Sequence, residues 1–324
     1  MERLFVTTLA EVTALVSAHV NQDHARFRAL TLSIAANVAA RSEHGASQLR
    51  KLVERVQPRA LIPLVGADGV LSMPPDTASL DEMVVSSEVR HRLDRVVLEY
   101  KQRDVLSVHG LYPARKLLFV GPPGTGKTMG ARALAKALEL PLIRVELHAV
   151  IASHLGETAA KLAKVFEHVR MMPGVYLFDE FDALGADRSA SDGSSAAAEM
   201  RRAVNSLLQF IEDDRSDSLI VAATNLGHTL DTALFRRFDE VITFAIPSRS
   251  ELVLLLQQML TDIDPDSLDL DAIYLVALKA KLGHADICAG LSRVLKDHVL
   301  DDVTIDTPRI ISALQLRARL VGPS

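Results

Sequence analysis

Residues Gly121–Thr128 read Gly-Pro-Pro-Gly-Thr-Gly-Lys-Thr, between an apolar run, Leu117–Val120, and an Ala- and Leu-rich stretch, Thr128–Leu138. The three glycines let the backbone turn tightly and bring its N–H groups against phosphate oxygens, with no Cβ in the way. Lys127 reaches the β- and γ-phosphates, and the Thr128 hydroxyl can ligate Mg²⁺. The apolar run before the loop predicts a strand, and the stretch after it predicts a helix whose positive end faces the phosphates. Pro122, Pro123, Gly124, Thr125, Gly126, Lys127, Thr128 and Met129 are therefore the expected nucleotide contacts.

Working outward, Leu142–Glu146, Val175–Phe178 and Leu219–Ala223 are further short apolar runs, separated by helical stretches. Strands alternating with helices predict an α/β fold, with a parallel sheet covered on both faces. Val175–Phe178 ends in Asp179 and Glu180, which places two carboxylates at the carboxyl end of the sheet, where such folds bind ligands. Asp179 can hold the Mg²⁺ shell and Glu180 can polarise an attacking water. The strand Leu219–Ala223 ends at Thr224 and Asn225, an amide that could orient the water or sense the γ-phosphate; taken alone it reads equally as a turn residue. Arg236 and Arg237 follow, and guanidinium groups stabilise a transferring phosphoryl group. Taken alone, an arginine pair reads as solvated surface.

In this order, GPPGTGKT, YLFDEFDAL (176–184), AATN (222–225), LDTALFRRFD (230–239) and GHADI (283–287) resemble the AAA+ ATPase family. The resemblance spans about Leu80 to Leu300 and is nearest to bacterial single-ring members akin to remodelling and protease-associated ATPases. It implies a P-loop NTPase sheet with a C-terminal helical lid, MgATP hydrolysis, and a ring that is usually a hexamer. It further implies that Asn225 is the sensor beside the γ-phosphate, that Arg236 and Arg237 act on the neighbouring subunit's ATP, and that Leu80–Val85, Val84 among them, straps the adenine. The family's first pore loop falls at Ser153–Glu157, with His154 and Leu155 as the polypeptide contacts. His154 stands where a larger aromatic residue is usual, so its grip on an extended chain is weaker. Near GHADI the lid has Ala285 and Asp286 where some branches have an arginine, and Arg293 lies two turns on.

The remaining sequence sets the organisation. Leu9, Val12, Leu15 and Val16, then Phe27, Leu30, Ile34 and Val38, then Leu49, Leu52, Val53 and Val56 recur at helical spacing. Pro58, Pro63, Gly66, Gly69, Pro74 and Pro75 then punctuate a linker. The expected domains are 1–57, an N-terminal helical partner-recruiting unit; 58–79, the linker; 80–248, the α/β ATPase; and 249–324, the lid. Ser189–Ala198 (SASDGSSAAA) reads as a loop.

Totals narrow the function classes. Lys+Arg of 36 against Asp+Glu of 41 gives a net charge of −5, which argues against an extended nucleic-acid footprint. Cys288 is the only cysteine, so there is no internal disulfide or thiolate cluster. His19, His24 and His44 lack the spacing of a metal site. The opening residues do not read as a signal peptide and Leu252–Leu256 is too short to span a bilayer, so a cytoplasmic protein with no membrane partner is expected. The leading function is ATP-driven remodelling or unfolding of a protein partner by a homo-oligomeric ring. The alternative is an ATP-gated binding module that regulates a partner, such as a protease, without threading it.

Overall fold

The computed structural model describes residues 70–74, 78–151, 157–181, 195–225, 235–260 and 267–321. The chain divides into two units, Met1–Gly66 and Ala67–Ser324, and every described residue belongs to the second. Its elements are, in order, β1 (Leu71–Ser72), α1 (Ser87–Lys101), α2 (Arg103–Val108), β2 (Lys116–Val120), α3 (Lys127–Leu138), β3 (Leu142–Val145), α4 (Leu147–Ile151), α5 (Glu157–Met171) and β4 (Val175–Phe178). Then follow α6 (Ser195–Asp213), β5 (Leu219–Thr224), β6 (Glu240–Thr243), α7 (Arg249–Met259), α8 (Leu270–Lys279), α9 (His284–Asp301) and α10 (Thr307–Val321).

The sheet runs β1-β3-β4-β5-β2-β6. All its pairings are parallel except β1 with β3, which is antiparallel. The interior strands β2, β4 and β5 are almost wholly buried, as strands covered on both faces must be. Alternation sorts their side chains. Leu117, Phe119, Leu177, Val221 and Ala223 join α1 and α3 through Leu93, Val96 and Leu134. On the opposite face Phe166 of α5 stacks with Phe178 of β4 at 6.0 Å and with Phe210 of α6 at 5.2 Å, which ties that helical layer to the sheet. The Tyr176 hydroxyl lies 2.9 Å from the His168 carbonyl and 3.0 Å from that of Met172, closing the end of α5, and burial pushes its pKa up.

Three expectations need correction. The segment assigned to the linker contains β1, which pairs Leu71 with Val145. β6 was not foreseen: of its four residues, EVIT, at the other edge, only Ile242 is buried, so no apolar run announces it. Ser195–Ala198, expected in a loop, are the first residues of α6, because three consecutive alanines favour helix and lead into an amphipathic run.

After β6 the chain leaves the sheet. The Ser248 hydroxyl accepts from the Glu251 N–H at 3.3 Å and the Glu251 carboxylate accepts from the Ser248 N–H at 2.7 Å, a capping box that starts α7. Helices α7–α10 build a separate core from Leu252, Leu256, Ile273, Ile287, Leu291, Ile310 and Leu314. Among the described residues no helix is long and apolar enough to cross a membrane.

Candidate active site

Strand β2 delivers its last residue into the phosphate loop. The Gly121 N–H donates to the Thr224 carbonyl at 3.2 Å, which fastens the loop to the end of β5. Gly124 and Gly126 adopt φ of +71° and +103°. Thr125, 1% exposed, donates its hydroxyl to the Pro122 carbonyl at 2.8 Å and holds the turn from within. Pro122, Pro123, Gly124 and Met129 are exposed around the loop.

Lys127, at the start of α3, is 6% exposed. Its ammonium donates to the Gly121 carbonyl at 2.7 Å, the Pro122 carbonyl at 2.7 Å and Asn225 Oδ1 at 2.8 Å. Asn225 follows β5 directly, so adjacent parallel strands bring residues 98 positions apart onto one nitrogen. On the other side Thr128 Oγ1 donates to Asp179 Oδ2 at 3.0 Å. Asp179 Oδ1 accepts the Glu180 N–H at 3.0 Å. Glu180 itself has a left-handed φ of +54° and an exposed side chain. That conformation costs about 1–2 kcal/mol for a residue with a Cβ. Lys127, Thr128, Asp179, Glu180 and Asn225 are thus brought together at the carboxyl ends of β2, β4 and β5.

Arg236 and Arg237 are not. The Asp239 N–H donates to the Lys116 carbonyl, and Asp239 Oδ2 accepts from the N–H groups of Arg115 and Lys116, each at 2.9 Å. The arginine pair therefore sits at the amino end of β2, with Arg237 Nε 3.4 Å from Glu212 Oε2 at the close of α6. Five residues of β2 separate that end from the loop, roughly 16 Å at ~3.3 Å per residue. A cleft of about 1120 Å³ near this end is lined by Tyr100, Arg103, Tyr112, Arg115, Lys116 and Arg215 among others. Its cations already have partners: Lys116 and Arg215 both donate to the Glu212 carbonyl, and burial lowers the Lys116 pKa.

The start of α9 meets the loop from outside. The Ala285 N–H, in the first turn of α9, donates to the Gly124 carbonyl at 2.9 Å. A Cβ at Gly283 would lie 2.8 Å from the Pro123 carbonyl oxygen and 2.9 Å from that of Gly124, so only glycine permits this approach. Asp286 accepts from the Gly283 N–H at 3.3 Å and from Arg317 Nε at 2.9 Å. Sequence reasoning missed Arg317, because nothing local ties α10 to a position 31 residues earlier. It offered Arg293, which is exposed. Val84 packs against the lid core and lines a cleft of about 640 Å³ with Met83, Val85, Ser248, Glu251 and Leu254. His154 and Leu155 lie outside the described residues.

A glycine loop, a lysine aimed into it, a hydroxyl–carboxylate pair and a second carboxylate at the sheet's carboxyl end define a P-loop nucleotide triphosphatase. Residues 117–246 match the family described as ATPase family associated with various cellular activities (AAA), and this part of the chain is an AAA ATPase domain. The match contains Lys127, Thr128, Asp179, Glu180 and Asn225 and leaves Met83, Val84 and helices α7–α10 outside it. An uncharacterized AAA family ATPase, y4kL, of Sinorhizobium fredii is 44% identical over 213 residues, 62% of this chain and 63% of that protein. A putative 26S proteasome regulatory subunit homolog of Methanothermobacter marburgensis is 32% identical over 199 residues, 60% of this chain and 52% of that protein. This chain thus spans less than two thirds of the length of either relative. The crystal structure of the FIGL-1 AAA domain superposes with a TM-score of 0.56 at 23% identity, over 79% of this chain and 87% of that one, a likeness of fold.

Proposed function

We propose that the chain binds and hydrolyses MgATP at this cluster and assembles into a ring, hexameric in size, in which each site is completed by the next copy. The position of Arg236 and Arg237 at the amino end of the sheet supports the shared site most directly. Lys127 holds the β- and γ-phosphates after exchanging its loop carbonyls for them. Thr128 and Asp179 would hold Mg²⁺: their oxygens are already 3.0 Å apart. Two protein oxygens without a cage suit an ion that keeps its waters and takes the rest of its shell from phosphate. When bound, the ion neutralises charge developing on the phosphates. Glu180 accepts a proton from the attacking water, Asn225 orients that water, and the neighbour's Arg236 and Arg237 face the γ-phosphate.

The work done by this cycle is remodelling or unfolding of a protein partner. The name of the Methanothermobacter marburgensis relative, a putative 26S proteasome regulatory subunit homolog, supports a protein client. Residues 1–57 recruit it and the His154–Leu155 segment contacts it. If the site is shared, specific ATPase activity rises with protein concentration across the range in which particle mass rises from one copy to the ring. Phosphate release measured beside light scattering checks this. Constant specific activity in a protein that stays monomeric with ATP would refute it.

A further inference from the structure

The start of α9 carries an electrostatic conflict. Asp286 lies in the first turn of that helix and is 9% exposed. Its Oδ2 accepts the Gly283 N–H at 3.3 Å. A carboxylate there also faces the positive end of the helix, so the fold gains from an acid at this position. The same oxygen lies 3.5 Å from the place a Cβ would take on Gly124, and the neighbouring Ala285 N–H donates to the Gly124 carbonyl at 2.9 Å. The helix therefore presses a carboxylate against a loop whose glycine-rich backbone is suited to phosphate. An unopposed negative charge so close to the loop lowers its affinity for any anion, and a charge this well covered is poorly screened by salt and water. Among the described residues one cation pairs with it: Arg317 of α10, whose Nε lies 2.9 Å from Asp286 Oδ1.

We propose that Arg317 is a positioning residue for the phosphate site: by pairing with Asp286 it lets α9 seat its acidic first turn on the loop without repelling the nucleotide's phosphates. This rests on the assignment of the loop as an ATP site and adds a determinant from α10, a helix outside the region matched to the family. Arg317 acts through Asp286 and need not touch the nucleotide. A purely structural pair would behave differently, because loss of either partner would then loosen the contact between α9 and the loop and weaken binding.

The test measures binding of ATP and of inorganic triphosphate, which lacks the nucleoside, to wild type, Arg317→Gln, Asp286→Asn, Arg317→Gln/Asp286→Asn and Arg317→Lys. Arg317→Gln leaves the carboxylate unopposed and should weaken both ligands by roughly 3- to 30-fold, the effect of one charge within about 10 Å at a protein surface. Asp286→Asn can still accept the Gly283 N–H but leaves Arg317 unopposed, so both ligands should bind as tightly as to wild type or more tightly. Adding Asp286→Asn to Arg317→Gln should restore affinity to within about twofold of wild type, as coupled charges in contact require. Arg317→Lys, which keeps the charge, should also bind both ligands within about twofold of wild type. The loss in Arg317→Gln should shrink as salt rises from roughly 0.02 M to 0.5 M, because the screening length shortens. Asp286→Asn weakening both ligands as much as Arg317→Gln, no recovery in the double variant, or a loss indifferent to salt would each overturn the proposal. Failure of wild type to bind either ligand would instead overturn the assignment of the loop as an ATP site.

Discussion

Glu180→Gln should leave ATP binding within about twofold of wild type while phosphate release falls by roughly 10²- to 10⁴-fold, the usual worth of a positioned general base. The geometry separates the two effects. The Glu180 backbone N–H is held by Asp179 Oδ1 at 3.0 Å, and its side chain is exposed. Glutamine keeps the volume and the left-handed backbone but cannot accept the water's proton. Binding of a fluorescent ATP analogue and single-turnover phosphate release measure the halves separately. Turnover within about threefold of wild type would mean that another group takes the proton.

Gly121→Ala should be among the most destabilising single changes in the ATPase domain. An added Cβ would stand 1.9 Å from the Phe244 carbonyl oxygen and 2.9 Å from its carbon, at a φ of +155°. The obstacle is backbone, fixed by the Phe244 N–H donating to the Val120 carbonyl at 2.7 Å, so no rotamer change relieves it. Relief requires β6 to part from β2 or the loop to leave the end of β5. A loss of about 4 kcal/mol is expected, in the range kept for overpacking at a special backbone site. At ~2–4 °C per kcal/mol for a domain this large, the melting temperature should fall by roughly 8–16 °C. Gly110→Ala is the matched control: φ there is +71° with nothing within 4 Å of the new Cβ, so only the ~1–2 kcal/mol of left-handed strain applies. Equal melting temperatures for the two variants would contradict the packing argument.

What could be read from the sequence follows a physical division. β2, β4 and β5 are interior strands, and a strand buried on both faces must be an unbroken apolar run. The motif residues at their ends therefore fell into place with them: Lys127, Asp179, Glu180 and Asn225 converge because their strands are neighbours in a parallel sheet. The edges were not legible. β6 is EVIT, buried only at Ile242 and without an apolar signature, and β1 is two residues inside a proline-rich stretch. The approach of α9 to the loop was hidden for another reason. Gly283 owes its identity to the carbonyls of Pro123 and Gly124, about 160 residues earlier in the chain, and nothing in its own neighbourhood discloses them. The bond between Asp286 and Arg317 is likewise a product of tertiary packing. The placement of Arg236 and Arg237 lies between these cases. The family resemblance implied a role for them on another subunit, and their place near the amino end of β2 follows from the Asp239 N–H donating to the Lys116 carbonyl, a pairing the sequence did not disclose.

The measurement that bears most directly on a site shared between copies is complementation. Lys127→Ala subunits lack the phosphate-binding lysine but keep both arginines. Arg236→Ala/Arg237→Ala subunits keep the phosphate site but offer nothing to a neighbour. Each preparation alone should be nearly inactive. Mixed in equal amounts under assembling conditions, they should recover ATPase activity well above the sum of the two, because some interfaces pair an intact phosphate site with intact arginines. Activity of the mixture no greater than that sum, with co-assembly verified, would contradict a site built from two chains.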